Sequence, residues 1–191
     1  MRIKSYIFPG YVILLLVMFI LPFYGAEGYE IAKNTTSQLG AQNTPNSWIM
    51  NVTFCILGIG TIVEAHIHLK RYWVHKILLT LFGLGLISTG IFQHAPIIDG
   101  IPYSLTEDKL HSLAASVVGF SFTMFAFSTA FIEKNNKRRI LAIIKGLISI
   151  FLSILMFQVT DYTGIWQRIM FITAFAWLIY LFYRNNLRKA Y

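Results

Sequence analysis

The stretch IFPGYVILLLVMFILPF, from Ile7 to Phe23, carries no charged side chain over 17 residues. At 1.5 Å rise per residue a helix of that length covers about 25 Å, close to the hydrocarbon thickness of a bilayer. Its apolar run is long and no small-x-small cleavage site follows it, so it is expected to be a retained helix and not a secretory signal. Five further stretches of the same character follow: Trp48 to His68, Trp73 to Phe92, Leu110 to Ile132, Ile140 to Phe157 and Ile165 to Tyr183. The chain therefore reads as a single all-α domain, a bundle of six transmembrane helices.

Composition excludes the alternatives. Of 191 residues, 56% are hydrophobic and only 13% charged, against about 25% charged in a soluble domain. That is too apolar for a disordered tail, and Cys55 alone cannot close an intrachain disulfide. The net charge of +8 would suggest nucleic acid only if the basic residues formed one stripe on a soluble face. They sort by side instead. Six spans put both termini together, and on that side lie 13 of the 16 basic residues, among them Arg2, Lys4, Lys134, Arg139 and Arg188; only Lys33, Lys109 and Arg168 fall opposite. The acidic residues segregate the other way, apart from Glu64 and Glu133. The positive-inside rule then places both termini in the cytoplasm, in a multi-pass protein of the cell membrane, with membrane lipids and not nucleic acid as partners. The segments Lys134 to Arg139 and Arg184 to Lys189 are expected against anionic headgroups. Trp48, Tyr72, Trp73, Trp166 and Tyr183 sit at the expected span ends, where an aromatic ring is half apolar and half wet. The longest connections, Tyr24 to Ser47 and Gln93 to Lys109, are expected outside.

Ionisable residues in or near the hydrocarbon are expensive, so each is a candidate by default. On the outer side these are His94, Asp99, Glu107, Asp108, His111, Asp161 and Arg168. One loop joins the third and fourth helices, so His94 and His111 lie at similar depth on adjacent antiparallel elements, where they could meet. With Asp108, Glu107 or Asp99 they have the ligand types for a divalent metal, or for a general acid and base working on a lipid ester or phosphodiester. No metal-ligand spacing such as His-Glu-x-x-His occurs, and interfacial histidines bonded to loop carbonyls explain the same pattern. Ser112, Ser116 and Ser121 read as small packing residues and not as nucleophiles.

Arg168 stands just inside an apolar helix, where a guanidinium usually has a carboxylate or phosphate partner. Asp161 or Asp108 would make an ion pair fixing helix positions; an anionic headgroup would make a binding site. On the inner side Glu64 is expected to pair with His68 at i+4 or with Lys76. His66, His68 and His75 read as interfacial side chains, with no facing pair at a depth that would hold a haem. Asn34-Thr35-Thr36 matches a glycosylation sequon, and Gly58, Gly60, Gly83 and Gly85 read as sites of close helix approach.

Three segments taken together resemble a known family: Ser37-Gln38-Leu39-Gly40-Ala41 with Pro45 and Asn51, Leu110-His111 opening the fourth helix, and Gly164-Ile165-Trp166-Gln167-Arg168 opening the sixth. The chain is similar, from Phe8 to about Tyr183, to the prokaryotic six-helix membrane family catalogued as domain of unknown function number 998. The resemblance implies no activity or cofactor. It does imply a site at the positions matching its polar motifs, Ser37, Asn51, His111, Gln167 and Arg168, all on the outer side. The leading expectation is an outward-opening pocket that binds a lipid headgroup or other amphiphile, anchored by Arg168, with Asp161 nearby. One rival is an intramembrane hydrolase or transferase using His94, His111 and Asp108, with or without a metal. Another is an accessory subunit whose outer loops meet a protein partner or a second copy of the chain. A transporter is less favoured, since no inverted repeat or pair of broken helices is evident.

Overall fold

The computed structural model describes the backbone of residues 5–189 and the side chains of residues 5–183. Arg2 and Lys4 lie outside the described residues, as do the side chains of Arg184, Arg188 and Lys189. Six α-helices follow one another: α1 (Ile7–Ile20), α2 (Ser47–His68), α3 (Trp73–Ile91), α4 (Leu105–Ile132), α5 (Asn136–Gln158) and α6 (Thr163–Lys189). Single 3₁₀ turns occupy Leu21–Tyr24, Ser37–Gly40 and Thr160–Tyr162, and there is no strand among the described residues. All six helices are long and apolar enough to cross a membrane, and the chain is a multi-pass membrane protein. Each helix packs on the next, and α6 closes the bundle against α1 and α2. One end, here the terminal end, holds the short α2–α3 and α4–α5 turns; the other, the loop end, holds the long connections 21–46 and 92–104.

The close approaches fall where glycine was expected. A Cβ on Gly58 of α2 would lie 2.5 Å from the Gly83 carbonyl oxygen of α3, and one on Gly83 would lie 2.7 Å from the Gly58 oxygen, so the two backbones touch. Aromatic rings fill the centre. Phe82 meets Phe122 and Phe175 at centroid distances of 5.8 Å, and Trp177 meets Phe122 and Phe125 at 5.9 Å.

Two helices begin earlier than their apolar runs. α4 starts at Leu105 and not at Leu110, because Ser104 accepts from the Glu107 amide and so caps a polar first turn. α5 starts at Asn136 and not at Ile140, with the Asn135 side chain accepting from the Arg138 amide. α1 ends the opposite way, at Ile20 and not at Phe23, since Pro22 has no N–H to offer the Met18 carbonyl and the chain tightens into a 3₁₀ turn. That carbonyl is left for another donor.

Candidate functional site

The donor is Arg168. Its Nε donates to the Met18 carbonyl at 3.3 Å, the atom that Pro22 leaves without an intrahelical partner. One terminal nitrogen donates to the carbonyls of Ile31, Asn34 and Gly164 at 2.7, 2.9 and 3.0 Å, and the other donates to the Tyr29 hydroxyl at 2.8 Å. The guanidinium, 3% exposed, thus ties α6 to the end of α1 and to the loop between α1 and α2. The Ala32 and Lys33 carbonyls accept from the Ile165 and Gly164 amides, filling the orphan donors that open α6. Gly164 allows this approach, since a Cβ there would overlap the carbonyl oxygens of Ile31 and Asn34. Burial pushes the Tyr29 phenol above its ordinary range, with the neighbouring guanidinium pulling the other way.

This arrangement corrects the ion-pair expectation. Neither Asp161 nor Asp108 reaches Arg168. Asp161 is exposed in the 3₁₀ turn before α6, and the guanidinium is satisfied by backbone dipoles and one phenol. Opposite charges are easy to pair from a sequence; carbonyls are not visible there at all.

Three of the other four positions of the resemblance, Ser37, Asn51 and Gln167, serve the same loop. The Gln167 carbonyl oxygen accepts from the Thr36 amide at 2.7 Å and, in a very short contact, from the Thr36 hydroxyl, while its Nε2 lies 3.5 Å from the Ser37 hydroxyl. Asn51 on α2 donates to the Gly40 carbonyl at 3.1 Å. Thr36, Ser37, Asn51 and Gln167 are all buried. The sequon at Asn34 is folded into this network, with its Thr36 fully buried and the Asn34 side chain accepting from the Glu30 amide. Gln42 fastens the second connection: its amide nitrogen donates to the carbonyls of Gln93 and Ser104, and its oxygen accepts from the Ser104 amide at 2.7 Å.

His94 and His111 do meet, edge to face, at 5.2 Å between ring centroids. His111 is buried and its Nδ1 lies 2.8 Å from the Phe92 carbonyl, so that nitrogen carries a proton. His94 is partly exposed, with Nδ1 3.0 Å from the Ala95 carbonyl and 3.5 Å from the Asp108 carboxylate, which itself accepts from the Ala95 amide at 2.8 Å. Glu107 accepts from the Gln93 amide, and Asp99 is exposed. No three His, Cys, Asp or Glu side chains are placed to hold a metal ion among the described residues. The hydroxyls of Ser116 and Ser121 bond back to carbonyls of their own helix, as packing residues do.

At the terminal end Glu64 is fully buried on α2. One carboxylate oxygen accepts from the Ser5 hydroxyl and the Tyr6 amide, both at 2.8 Å, and the other lies 2.8 Å from His68 Nε2. His68 stacks on Phe182 of α6, and His66 is exposed and bonded to the Ile62 carbonyl.

An open apolar groove of about 350 Å³ lies between α1 and α2 at the loop end, lined by Leu16, Val17, Ile20, Leu21, Tyr24, Asn46 and Ile49. Its mouth is closed into a ring by the Asn46 side chain, which donates to the Tyr24 carbonyl at 2.9 Å and so joins the two ends of the first connection. Sequence reasoning missed this groove, because its walls are ordinary lipid-compatible residues. It also missed Tyr29, Thr36 and Gln42, polar loop residues of a kind found in any connection.

The family described as "Protein of unknown function (DUF998)" matches residues 10–184, and the chain belongs to it. No curated protein and no solved structure matches the chain.

Proposed function

We propose that this member of the DUF998 family binds a lipid or similar amphiphile at the loop end of its bundle, with the acyl part in the groove between α1 and α2. The observation that carries this reading is the groove itself, about 350 Å³ in volume, with apolar walls and with Asn46 and Tyr24 as its polar-bearing residues. A site of that shape takes an apolar chain and offers a few polar groups to orient its head. Arg168 acts through the loop: it grips α1 at Met18, next to Val17 of the groove wall, and with Gln167, Ser37 and Asn51 holds the loop in place. The charge sorting along the chain supports placing the terminal end in the cytoplasm, the loop end outside, and the protein in the cell membrane.

Native mass spectrometry of the gently extracted protein tests the groove. Leu16→Trp fills it from the lipid side, whereas Leu147→Trp on the exposed face of α5 leaves it open. Lipid retained by the wild type and by Leu147→Trp but lost from Leu16→Trp is expected; equal retention in Leu16→Trp sinks the groove as the site.

A second reading rests on the His94 and Asp108 pair with His111 behind it. A partly exposed imidazole beside a carboxylate can take a proton from water attacking an ester or phosphodiester. Ester hydrolysis by the purified protein, abolished in His94→Ala, would move the function to that end of α4.

A further inference from the structure

Lys145 lies on α5 nine residues past Asn136, roughly 13 Å along the axis, and well inside the apolar run that opens at Ile140. Its side of the helix is informative. At 100° per residue it falls with the buried Ala142, Ser149 and Leu152, and away from the strongly exposed Leu147, Phe151 and Ile154. It is half-buried, on the side of α5 that meets its neighbours: Ser149 lies 2.9 Å from the Thr123 hydroxyl of α4, and Gly146 accommodates the Phe127 ring.

A lysine so placed normally has a counter-charge, and here no hydrogen bond or ion pair reaches its ammonium group among the described residues. Glu133, the carboxylate just before α5, is engaged by Arg138 at 3.3 Å, and Arg139 donates to the Ala130 carbonyl. Lys134 and Lys137 are exposed and unpaired at the end of the helix. Side chains on an α-helix lean towards its N-terminus, so Lys145 reaches towards these same cations. The result is a cationic path from the headgroup level into the hydrocarbon with one carboxylate against it. Like charges along such a path repel, and no carboxylate among the described residues neutralises them apart from Glu133.

We propose that Lys145, with Lys134 and Lys137 above it, is a binding site for an anionic phospholipid of the leaflet at the terminal end. The phosphate sits between the Lys145 ammonium and the two outer lysines, and the acyl chains run along the flank of α5 beside Lys145, over the exposed Ile144 and the half-buried Ile148. The acyl chains select a lipid over a free phosphate: both must shed water to reach an ammonium within the apolar run, and only the lipid is held in the hydrocarbon by its chains. This site is separate from the α1–α2 groove and at the opposite end of the bundle.

The test is lipid binding by native mass spectrometry to the detergent-purified protein, offered phosphatidylglycerol or phosphatidylcholine in mixed micelles. The wild type and Lys145→Arg are expected to prefer phosphatidylglycerol, and Lys145→Met to lose about tenfold of that preference, the loss of one charged hydrogen-bond donor. Lys145→Gln serves the same purpose if Lys145→Met fails to fold. The paired Lys134→Gln and Lys137→Gln variant should lose less, and its loss should shrink at high salt. Full preference in Lys145→Met and Lys145→Gln would overturn the proposal. So would a loss confined to the Lys134 and Lys137 variant, which marks ordinary surface attraction, or displacement of the lipid by millimolar inorganic phosphate. Leu16→Trp should leave this binding unchanged, so failure of the groove and failure of this site are told apart.

Discussion

The two ends of α1 are capped by opposite means. At its first turn the buried Glu64 carboxylate of α2 accepts from the Tyr6 amide and the Ser5 hydroxyl. At its last turn the buried Arg168 guanidinium of α6 donates to the Met18 carbonyl. An anion thus stands at the positive end of the helix dipole and a cation at the negative end, although α1 has no acidic residue in its first turn and no basic residue in its last. The counterparts differ. Glu64 has a histidine beside it, whereas Arg168 has four carbonyls and a phenol and no carboxylate. A buried charge in a membrane bundle is held as well by several aligned backbone dipoles as by a counter-ion, and the dipole solution gathers a whole loop around the charge.

The sharpest way to break this symmetry is Arg168→Leu, which leaves the Met18, Ile31, Asn34 and Gly164 carbonyls and the Tyr29 hydroxyl without their donor. It should cost about 4 kcal/mol of stability, read as a lowered Tm in detergent, together with protease cleavage within residues 25–46. Arg168→Lys separates charge from shape: a single ammonium cannot reproduce the fork, and only partial recovery is expected. Glu64→Ala strips the other end, leaving the Tyr6 amide and the Ser5 hydroxyl unpaired, at about 3 kcal/mol but with the loop still protease-resistant. Gly164→Ala keeps every donor and pushes a methyl into the loop carbonyls; about 2 kcal/mol is expected, with loss of loop protection if the close contact is what seats the loop. The smallest effect belongs to Gln42→Leu, about 1 kcal/mol, with faster hydrogen exchange at the Ser104 amide while residues 29–38 stay protected.

The six spans were legible because hydrocarbon imposes one strong requirement, and length and polarity report it directly. The early starts of α4 and α5 were not, since a capped polar turn looks like a loop when only apolar residues are counted. The meeting of His94 and His111 followed from two antiparallel helices joined by one connection. Of the positions singled out as a site, Ser37, Asn51, Gln167 and Arg168 converge on the backbone of the first connection, whereas His111 bonds the Phe92 carbonyl at the start of the second. A search for partners among side chains passes over the commonest acceptor in any protein, the carbonyl oxygen. The groove was hidden for the opposite reason: Leu16, Ile20 and Ile49 have nothing in their type to distinguish a ligand-facing residue from a lipid-facing one.

The borrowed caps of α1 also carry a message about biosynthesis. The first helix leaves the ribosome with neither end complete: the partner of Tyr6 is 58 residues further along the chain, and the partner of Met18 is 150. The amino-terminal half of α1 can settle against Glu64 once α2 has inserted, but the loop and the end of α1 wait for α6. A chain interrupted before residue 168 leaves its longest connection without the Arg168 donors, so the fastening of both α1 and that connection is decided by a residue synthesised 150 positions after Met18.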